Sequence, residues 1–581
     1  MRFSSLTRKK QWSVYPAGDN CAELARKLGV SALIAQILIN REITDVEAGK
    51  SFLQPKLADL VEPEKMPGVS AAVERVAKAV RDKEKITIYG DYDVDGITAT
   101  AILFQLLKML NAEVDYYIPH RLDEGYGLNL EAIEQIATSG TKVLITVDCG
   151  ITAFESADFA AELGIDLVLT DHHQFAGDKL PRAVAIVHAG LDKSYPWQNP
   201  SGAMVAFKLA WAIANKFKVN GKTDPKLREF LINATIFAAM GTIADIVDIR
   251  GENRIIASFG LRAITETKLS GIKELIEMLR LSNEVIDSYH IGFRIAPVLN
   301  AAGRMGHARL AVELLTSTNQ LNSIKIAQYL KQQNNQRKQC ERKIFTQASK
   351  MVVDKGMDHP DRKSIVIGSS DWHTGVIGIV ASRMVDKYYR PAIMINISED
   401  KAQGSARSIP GFDILAGITA CSEHLNTFGG HTMAAGLTLD AEKLEKFVDD
   451  FEKYAAENLK DSEMVSKLEI DALCQIGELS IQTVKQLQRL GPFGKGNKPP
   501  ILATKGVRLI SPPRKVGARG EHLQIAVCDN TASLRCIGFK MAHFEKKLLE
   551  NEFFNIAYEP KVDNYMGSDN VQLVLSDIQF E

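Results

Sequence analysis

The sequence predicts an α/β protein built from a parallel-sheet domain, a long connecting helix, a second α/β domain and a C-terminal β-barrel. Two observations support this fold class. Residues 86–187 alternate short, fully apolar segments with helical ones, a pattern typical of a parallel sheet covered on both faces. Residues beyond about 465 contain short β-rich segments separated by turn signals. Such spacing predicts a small barrel, and we interpret it as an OB-fold.

The composition is that of a globular protein with several domains. The chain has 581 residues, of which 45% are hydrophobic and 24% charged. A net charge of −1 indicates no particular partner, so nucleic-acid binding would need locally concentrated basic residues. The seven cysteines form no C-x-x-C pair, which argues against a disulfide framework and a zinc ribbon. With no apolar leader and no uninterrupted apolar span, we expect a cytoplasmic protein that does not engage a membrane.

The elements are predicted in a definite order. Residues 1–60 form an N-terminal helical extension, and residues 61–320 form a catalytic domain with strands at 86–89, 114–118, 143–147, 167–170 and 183–187 and a helix at 97–110. Residues 321–357 form the connecting helix. Its basic residues could contact phosphates or simply be solvated. The second α/β domain covers residues 358–460, and the barrel covers 461–581.

Three aspartates follow the first predicted strand in the stretch I-T-I-Y-G-D-Y-D-V-D-G. Asp91, Asp93 and Asp95 repel one another, so a chain folds around them only where a cation neutralises the charge. Hard oxygen ligands of this kind suit Mg²⁺ or Mn²⁺. An acidic surface turn is the alternative, but it explains neither the strand before the cluster nor the apolar helix after it.

Other polar residues follow further predicted strands. Asp148 comes after residues 143–147, and D-H-H comes after residues 167–170. The carboxyl ends of parallel strands line one crevice, so these groups are expected to converge, with Asp245 from an apolar segment as another candidate. Taken singly, each aspartate could cap a helix or pair with an arginine. Together, several carboxylates with imidazole and no cysteine indicate a two-metal phosphoester or phosphoanhydride hydrolase that prefers Mn²⁺.

The motifs D-Y-D-V-D-G, V-D-C-G, T-D-H-H and G-T-I-A-D resemble the four motifs of the DHH phosphoesterase family. Further motifs resemble one branch of it, whose members are single-strand-specific DNA exonucleases that work from the 5′ end. They are R-I-A-P-V-L-N-A-A-G-R-M, W-H-T-G-V-I-G-I-V-A-S-R, G-S-A-R-S, F-G-G-H-T-M-A-A-G and G-P-F-G-K-G-N. The resemblance runs over essentially the whole chain. It implies a DHH-type domain, a DHH-associated domain and an OB-fold. V-H-A at residues 187–189 departs from the expected V-N-P.

The resemblance also implies a role for each acidic or imidazole group. Two ions, Mn²⁺ or Mg²⁺, would be held by Asp93, Asp95, Asp148, His172 and Asp245, with Asp148 bridging them. Asp91 would either be a further ligand or support the loop. His173 would face the scissile phosphate, and Asp171 would orient the histidine pair.

A second set of residues resembles groups that bind DNA phosphates. Arg304, Ser405 and Arg407 are implied to bind them, including a 5′-terminal phosphate, because guanidinium matches phosphate geometry. His431 is implied to face the cleft. Arg121 and Arg514 are further candidates for nucleic-acid contacts. The alternatives are a structural ion pair for Arg304, a buried core position for His431 and a solubilising loop residue for Arg514.

The implied activity is a two-metal-dependent exonuclease that degrades single-stranded DNA 5′→3′ to 5′-mononucleotides in DNA repair and recombination. One alternative is a DHH phosphodiesterase acting on short oligonucleotides or other small phosphoesters. Such enzymes usually lack the long connector and the barrel. A DNA-binding scaffold without activity is another, but it would lack metal ligands. The implied partners of this monomer are single-stranded DNA, a single-stranded DNA-binding protein and a RecQ-type helicase.

Overall fold

The computed structural model describes residues 10–119, 127–175, 177, 179–218, 220–304, 307–563 and 569–580. The chain divides into two compact units. The first contains residues 63–245 and 263–466, and the second contains residues 10–62, 246–262 and 467–581. Each unit has its own sheets and its own buried core.

The first unit contains the predicted parallel sheet. All five strands are parallel, in the spatial order Val114–Tyr117, Ile86–Gly90, Val143–Val147, Asp166–Thr170, Ala185–Val187. The two central strands are buried along their whole length, because helices cover both faces of the sheet. The predicted fold class is therefore confirmed, and the strand ends that carry the polar motifs lie side by side.

The helices of this part are numerous and mostly short. They are Val69–Asp82, Val94–Met109, Leu130–Thr138, Phe154–Glu162, Gly202–Lys216, Pro225–Ala244, Ser270–Met278, Ser288–His290, Ala296–Arg304 and Ala308–Thr316, with a π-helical turn at Ile291–Ile295. Helix Val94–Met109 begins three residues before the predicted start at residue 97. The reason is that the Asp93 carboxylate caps this helix, accepting hydrogen bonds from the backbone N–H groups of Asp95 and Gly96. The last aspartate of the acidic stretch is therefore helical.

Helix Pro225–Ala244 is the one described helix whose length and apolar composition would allow it to cross a membrane. Most of its apolar window is buried inside the protein, where the helix packs against Val94–Met109 and Gly202–Lys216. Its apolar character is accounted for by this packing in the core.

The connecting helix and the second sheet complete the first unit. The helix spans Gln320–Asp354, close to the predicted residues 321–357. The second sheet has the order Leu425–His431, Ala434–Asp440, Lys401–Arg407, Ala392–Ile397, Ile365–Ser369, and only its last two strands run parallel. It packs with the helices Thr374–Tyr388, Ile414–Ala420 and Leu444–Asn458.

The second unit is built around a closed barrel of five strands. In chain order these are Leu502–Leu509, His522–Cys528, Ser533–Gly538, Phe554–Asp563 and Asn570–Gln579. The pairing runs first, second, third, fifth, fourth and back to first, and the third and fifth strands are parallel. Helix Glu545–Glu550 lies between the third and fourth strands. This five-stranded barrel confirms the predicted OB-fold.

The N-terminal segment shares the core of that barrel. Its helices, Cys21–Leu28, Ala32–Asn40 and Val46–Leu53, bury Leu24, Ile34 and Leu38 in one cluster with barrel residues. Strand Gln11–Val14, which the helical periodicity of residues 1–60 did not predict, pairs with Lys467–Ile470. The smaller elements of the unit are Gly251–Ala263, Ala472–Leu473, Ile481–Gln488 and Arg514–Val516. Residues 10–62 are thus part of a unit assembled from three distant segments.

A deletion of residues 467–581 is expected to unfold residues 10–62 rather than remove an independent module. It would expose Leu24, Ile34 and Leu38, each at most 3% exposed, at a cost of about 1.5–3 kcal/mol per side chain. Limited proteolysis measures the protease resistance of residues 10–62, and size-exclusion chromatography shows whether the product is monodisperse. Arg514→Ala, which leaves the barrel core intact, is the control. A monodisperse product with protease-resistant residues 10–62 would contradict the expectation.

Candidate metal centre and phosphate site

The carboxyl ends of neighbouring strands bring the predicted ligands together. Among the described residues, four groups of side chains have ligand atoms within 4.8 Å of one another, and three of these groups consist of predicted site residues. They are Asp91, Asp93 and Asp148; Asp148, His172 and His173; and Asp95, His172 and Asp245. Asp148 and His172 each belong to two groups. The three groups are therefore connected, as expected for a centre that holds more than one ion.

Asp148 lies between the other ligands because of its backbone. It follows strand Val143–Val147 and has a positive φ of 64°, a left-handed conformation that aspartate tolerates better than most residues. A Cβ at Gly202 would come within 2.7 Å of the Asp148 Cβ, so only glycine allows the helix Gly202–Lys216 to approach this closely. The alternative was that Asp148 caps the next helix. That helix, Phe154–Glu162, has Ala153 as its N-cap, so Asp148 does not cap it.

His172 faces three of the carboxylates. Its Nε2 lies 3.0 Å from Asp148 Oδ1, 3.6 Å from Asp245 Oδ2 and 3.7 Å from Asp95 Oδ2. Burial, together with the charge of His173, lowers the pKa of His172 to about 4. The imidazole is therefore neutral at physiological pH and has a ring nitrogen available as a ligand.

Asp95 is held by the start of helix Gly202–Lys216. The backbone N–H groups of Gly202 and Ala203 donate to its two oxygens at 2.6 Å and 2.9 Å. Burial and the charge of Asp93 raise the pKa of Asp95 to about 7, although these two hydrogen bonds oppose the increase. Gly202 and Ala203 were not among the predicted site residues. The signal for them was the S-G pair that precedes an apolar run, a typical helix start.

The remaining predicted ligands are placed by the loop after the first strand. Asp91 is buried and lies with Asp93 and Asp148, which leaves both interpretations of Asp91 open. Asn300, which was not predicted, accepts a hydrogen bond from the Val94 N–H at 3.0 Å. A Cβ at Gly303 would meet Tyr92 O at 2.6 Å. Helix Ala296–Arg304 thus braces the acidic loop through Asn300 and Gly303 of the motif R-I-A-P-V-L-N-A-A-G-R-M.

The donor atoms fit a hard divalent cation. Asp148 Oδ1 and His172 Nε2 are buried, yet within the described part of the chain neither atom has a hydrogen bond of acceptable geometry. Burial and the charges of Asp95, Asp93, Asp91 and Asp245 raise the pKa of Asp148 well above its usual value. Buried polar atoms without partners and mutually repelling carboxylates are both costly, and a cation removes both costs. Oxygen and imidazole ligands without thiolate suit Mn²⁺ or Mg²⁺.

Asp171 and His173 form a separate ion pair. Asp171 Oδ1 contacts His173 Nδ1 at 2.7 Å and accepts the N–H groups of His172 and His173, while Oδ2 accepts the N–H of Ile151. Burial alone would raise the pKa of Asp171, but the bond to His173 and these N–H groups lower it to about 2. Burial alone would lower the pKa of His173, but Asp171 raises it to about 9. In the metal-free protein the Asp171 carboxylate therefore favours the protonated form of His173 at neutral pH.

His188, at the position where the sequence departs from the expected V-N-P, holds the backbone of His173. Its Nδ1 accepts the N–H of Gly190 at 2.9 Å, so its Nε2–H donates to His173 O at 3.0 Å. The ring also packs edge-on against Phe175. Because His188 makes these hydrogen bonds, the departure leaves the turn at Asp171–His173 braced.

The predicted phosphate-binding residues surround the first turns of helix Thr374–Tyr388. Arg304 Nη1 donates to Gly375 O at 2.9 Å. A Cβ added at Gly378 would lie 2.9 Å from Ser405 Oγ and 3.3 Å from an Arg407 amino group, so both side chains lie against the helix at Gly378. Two arginines, a hydroxyl and a helix N-terminus therefore share one location, an arrangement that suits a phosphate.

The other candidates occupy different places. His431 is exposed, which rules out the buried core alternative, and it pairs in register with Ala434, which pairs with Arg407. It thus lies two strands, roughly 10 Å, from Arg407. Arg514 is exposed on strand Arg514–Val516 of the barrel unit. Arg121 lies outside the described residues.

Three family models match the chain. They are the DHH family N-terminal domain over residues 85–235, the DHHA1 domain over residues 361–457 and the RecJ OB domain over residues 470–577. The first covers the sheet and its acidic strand ends, the second covers the sheet with Ser405 and Arg407, and the third covers the barrel. The resemblance inferred from the motifs is thereby confirmed.

Similar proteins share this architecture over most of their length. The single-stranded-DNA-specific exonuclease RecJ of Bacillus subtilis is 36% identical over 98% of this chain and 71% of its own. The RecJ of Haemophilus influenzae is 32% identical over 91% and 93%. A crystal structure of RecJ in complex with Mn²⁺ from Thermus thermophilus matches with a TM-score of 0.84 at 27% identity, over 98% of this chain and 80% of that one. This chain belongs to the RecJ family.

Proposed function

We propose that this protein is a metal-dependent exonuclease that degrades single-stranded DNA from the 5′ end and releases 5′-mononucleotides. The observation that carries the proposal is the centre itself, in which buried carboxylates converge with His172 at neighbouring strand ends. Relatives named as single-stranded-DNA-specific exonucleases share the whole architecture.

The proposed ligands of two ions, Mn²⁺ or Mg²⁺, are Asp93, Asp95, Asp148, His172 and Asp245, with Asp91 as a further candidate. Asp148 would serve both ions, because it belongs to two of these ligand groups and its carboxylate has two oxygens, whereas His172, which also belongs to two groups, presents a single ring nitrogen to the carboxylates. Such ions supply charge neutralisation at the phosphate and a water of lowered pKa. The carboxylates and the neutral His172 would position the ions, and the packed glycines Gly202 and Gly241 keep the helices close to Asp148 and Asp95.

His173 is proposed to act on the scissile phosphate as a cation. Its Nδ1 is bound to Asp171, so the ring orientation is fixed and the other ring nitrogen can donate to a phosphate oxygen or protonate the leaving oxygen. Asp171 does not contact the phosphate in this scheme. It orients His173 and keeps it protonated.

The direction of degradation is proposed to follow from the site at Arg304, Ser405 and Arg407. A terminal phosphate carries more negative charge than an internal phosphodiester, and two guanidinium groups with a helix N-terminus favour it. Holding the 5′ end there would place the next phosphodiester at the metal centre. The nucleotides of the strand are then released one at a time from its 5′ end as mononucleotides.

The proposal is tested with DNA labelled at the 5′ or the 3′ end, single-stranded or duplex, in the presence of Mn²⁺, Mg²⁺ or a chelator. The expected result is rapid release of label from 5′-labelled single strands, with shortening ladders from 3′-labelled ones. Activity should require a metal ion. Equal release from both ends, or cleavage of short oligonucleotides but not long strands, would contradict the proposal.

Replacing Arg407 by alanine is expected to remove most of the preference for a 5′-phosphate over a 5′-hydroxyl. Charge-assisted hydrogen bonds of this kind contribute about 1.5–3 kcal/mol, so the ratio of kcat/KM for the two substrates should fall by about one to two orders of magnitude. Lys401→Ala, an exposed residue on the same strand, is the control. An unchanged ratio would refute the role of Arg407.

We further propose a cytoplasmic monomer that works with a single-stranded DNA-binding protein and a RecQ-type helicase. The physical reason is that an enzyme needing a free single strand requires another activity to expose one in duplex DNA. All seven cysteines are free thiols, which supports a reducing compartment. Sedimentation with and without a coated single strand would test the monomer and the first partner.

A further inference from the structure

Two aromatic rings, here called the aromatic platform, are exposed on the first unit. Tyr289 and Phe293 are 59% and 69% exposed, and their rings stack with centroids 5.0 Å apart and an interplanar angle of 28°. Val285, close by in sequence, is 86% exposed. Soluble proteins normally bury most aromatic surface, so an exposed stacked pair marks a binding surface.

The aromatic platform is continuous with the catalytic region through one helical run. Ser288–His290, the π turn Ile291–Ile295 and Ala296–Arg304 follow one another without a break. The run carries Asn300, which bonds the acidic loop, and ends at Arg304. Along the axis Phe293 is ~10 Å from Asn300 and ~16 Å from Arg304. At roughly 3.4 Å per stacked nucleotide, a strand covers that distance within about five nucleotides.

A cationic cluster, formed by Arg294, Lys331 and Lys338, lies next to the aromatic platform. Arg294 Nη2 donates to Leu279 O at 2.8 Å, and Lys331 Nζ donates to Met278 O at 3.2 Å, so both lie at the end of helix Ser270–Met278. Burial and the positive charges of neighbouring arginines, among them Arg294, lower the pKa of Lys338. In the described part of the chain none of the three cations has an ion pair with a carboxylate.

Two acidic residues nearby share one histidine as their partner. Glu284 Oε2 and Asp287 Oδ1 lie 2.9 Å and 2.7 Å from the two ring nitrogens of His290. Glu274 and Glu277 line the same surface as Lys331, so charges of both signs are present there. Exposed stacked rings beside unpaired cations match the surfaces that hold single-stranded nucleic acid, because every base has a π face and every nucleotide a phosphate.

We propose that Tyr289 and Phe293 stack against bases of the single strand a few nucleotides beyond the cleaved bond, with the cationic cluster contacting its phosphates. The proposal rests on the proposed function and assigns a binding subsite to the same substrate. It explains how a strand longer than the metal centre is held between cleavage steps without regard to sequence. A protein partner or a second copy of this chain are the alternatives, and the stacked rings beside cations that have no ion pair in the described part of the chain favour nucleic acid.

The test uses the full chain with a chelator, which prevents cleavage, and oligonucleotides of about twelve nucleotides. Phe293→Ala and Tyr289→Ala are each expected to weaken binding by about tenfold, since one base stack is worth roughly 5- to 150-fold. A fluorescent adenine analogue placed at successive positions should lose its quenching at one or two internal positions. Phe293→Trp should retain affinity, and Leu321→Ala, an equally exposed apolar residue, should change nothing.

A second readout separates the subsite from the chemistry. With metal present, cleavage of a 5′-phosphorylated dinucleotide should be the same in wild type and in both alanine variants, because so short a substrate does not reach the platform. Lys331→Ala and Lys338→Ala should each reduce the slope of log binding constant against log salt concentration by about one for a long strand.

Two results would overturn the subsite. One is unchanged affinity and quenching in both alanine variants. The other is a wild-type dimer in sedimentation velocity that these variants dissociate, which would assign the surface to a second copy. Failure of the wild-type protein to cleave any single strand would instead contradict the proposed function.

Discussion

Replacing Asp148 by asparagine is expected to abolish cleavage while making the metal-free protein more stable. The variant keeps the shape of the side chain, which matters because the Asp148 Cβ lies against Gly202. It removes the negative charge that two ligand groups share. Charge stabilisation by a bound metal is worth several kcal/mol in the transition state, so roughly a thousandfold or greater loss of kcat is expected.

The gain in stability follows from the sign of the pKa shift. Burial and four neighbouring carboxylates raise the pKa of Asp148, so its ionisation costs folding free energy at every pH above the usual value near 4. Asparagine does not ionise and removes that cost. In thermal unfolding with a chelator the variant should therefore have the higher Tm. Wild type should gain the larger Tm increase when Mn²⁺ is added.

The control for this experiment is Asp158→Asn, an exposed aspartate on helix Phe154–Glu162 that lies in none of the ligand groups. It should behave as wild type in both measurements. Normal turnover by Asp148→Asn would refute the bridging assignment. A lower Tm without metal would show that Asp148 stabilises the fold, contrary to the repulsion argument.

The metal centre was predictable because its residues are tied to a periodic pattern. Apolar runs at residues 86–89, 143–147 and 167–170 indicated strands, and the polar residues directly after them had to meet at one edge of a parallel sheet. What the pattern could not supply was the contribution of backbone groups. The N–H groups of Gly202 and Ala203 bind Asp95 across more than a hundred residues of chain. No local signal relates the two segments.

The second unit shows a different limit. Helical periodicity in residues 20–53 correctly indicated helices, but it predicted no partner for their apolar faces. That partner is the barrel beyond residue 467, since Leu24, Ile34 and Leu38 belong to the barrel's core cluster. Strand Gln11–Val14 was missed for a related reason. A four-residue strand with one half-buried side chain has no period of its own, and only pairing with Lys467–Ile470 defines it.

Replacing Asp171 by asparagine is expected to lower kcat by about 10- to 100-fold while the metal still binds. The amide cannot keep His173 protonated, and partners that orient a functional group typically contribute on this scale. If the amide oxygen faces the N–H groups of His172 and His173, its NH₂ group meets the Ile151 N–H, so one hydrogen bond is also lost. His173→Ala should lose more, about 10²–10⁴-fold, because it removes the proton donor itself.

The ion pair also predicts how the stability of the metal-free protein depends on pH. The raised pKa of His173, about 9, gives a contribution that is complete below the usual histidine value near 6.5 and is lost as the pH rises through about 9. The lowered pKa of Asp171, about 2, gives one that is complete above about 4 and is lost as the pH falls through about 2. The stability difference between wild type and Asp171→Asn should therefore be largest between about pH 4 and 6.5 and shrink towards pH 9. Urea unfolding in a chelator across this range measures it. A difference that stays constant to alkaline pH would mean that His173 is not charged by Asp171, and His173 would then have to act as a neutral donor.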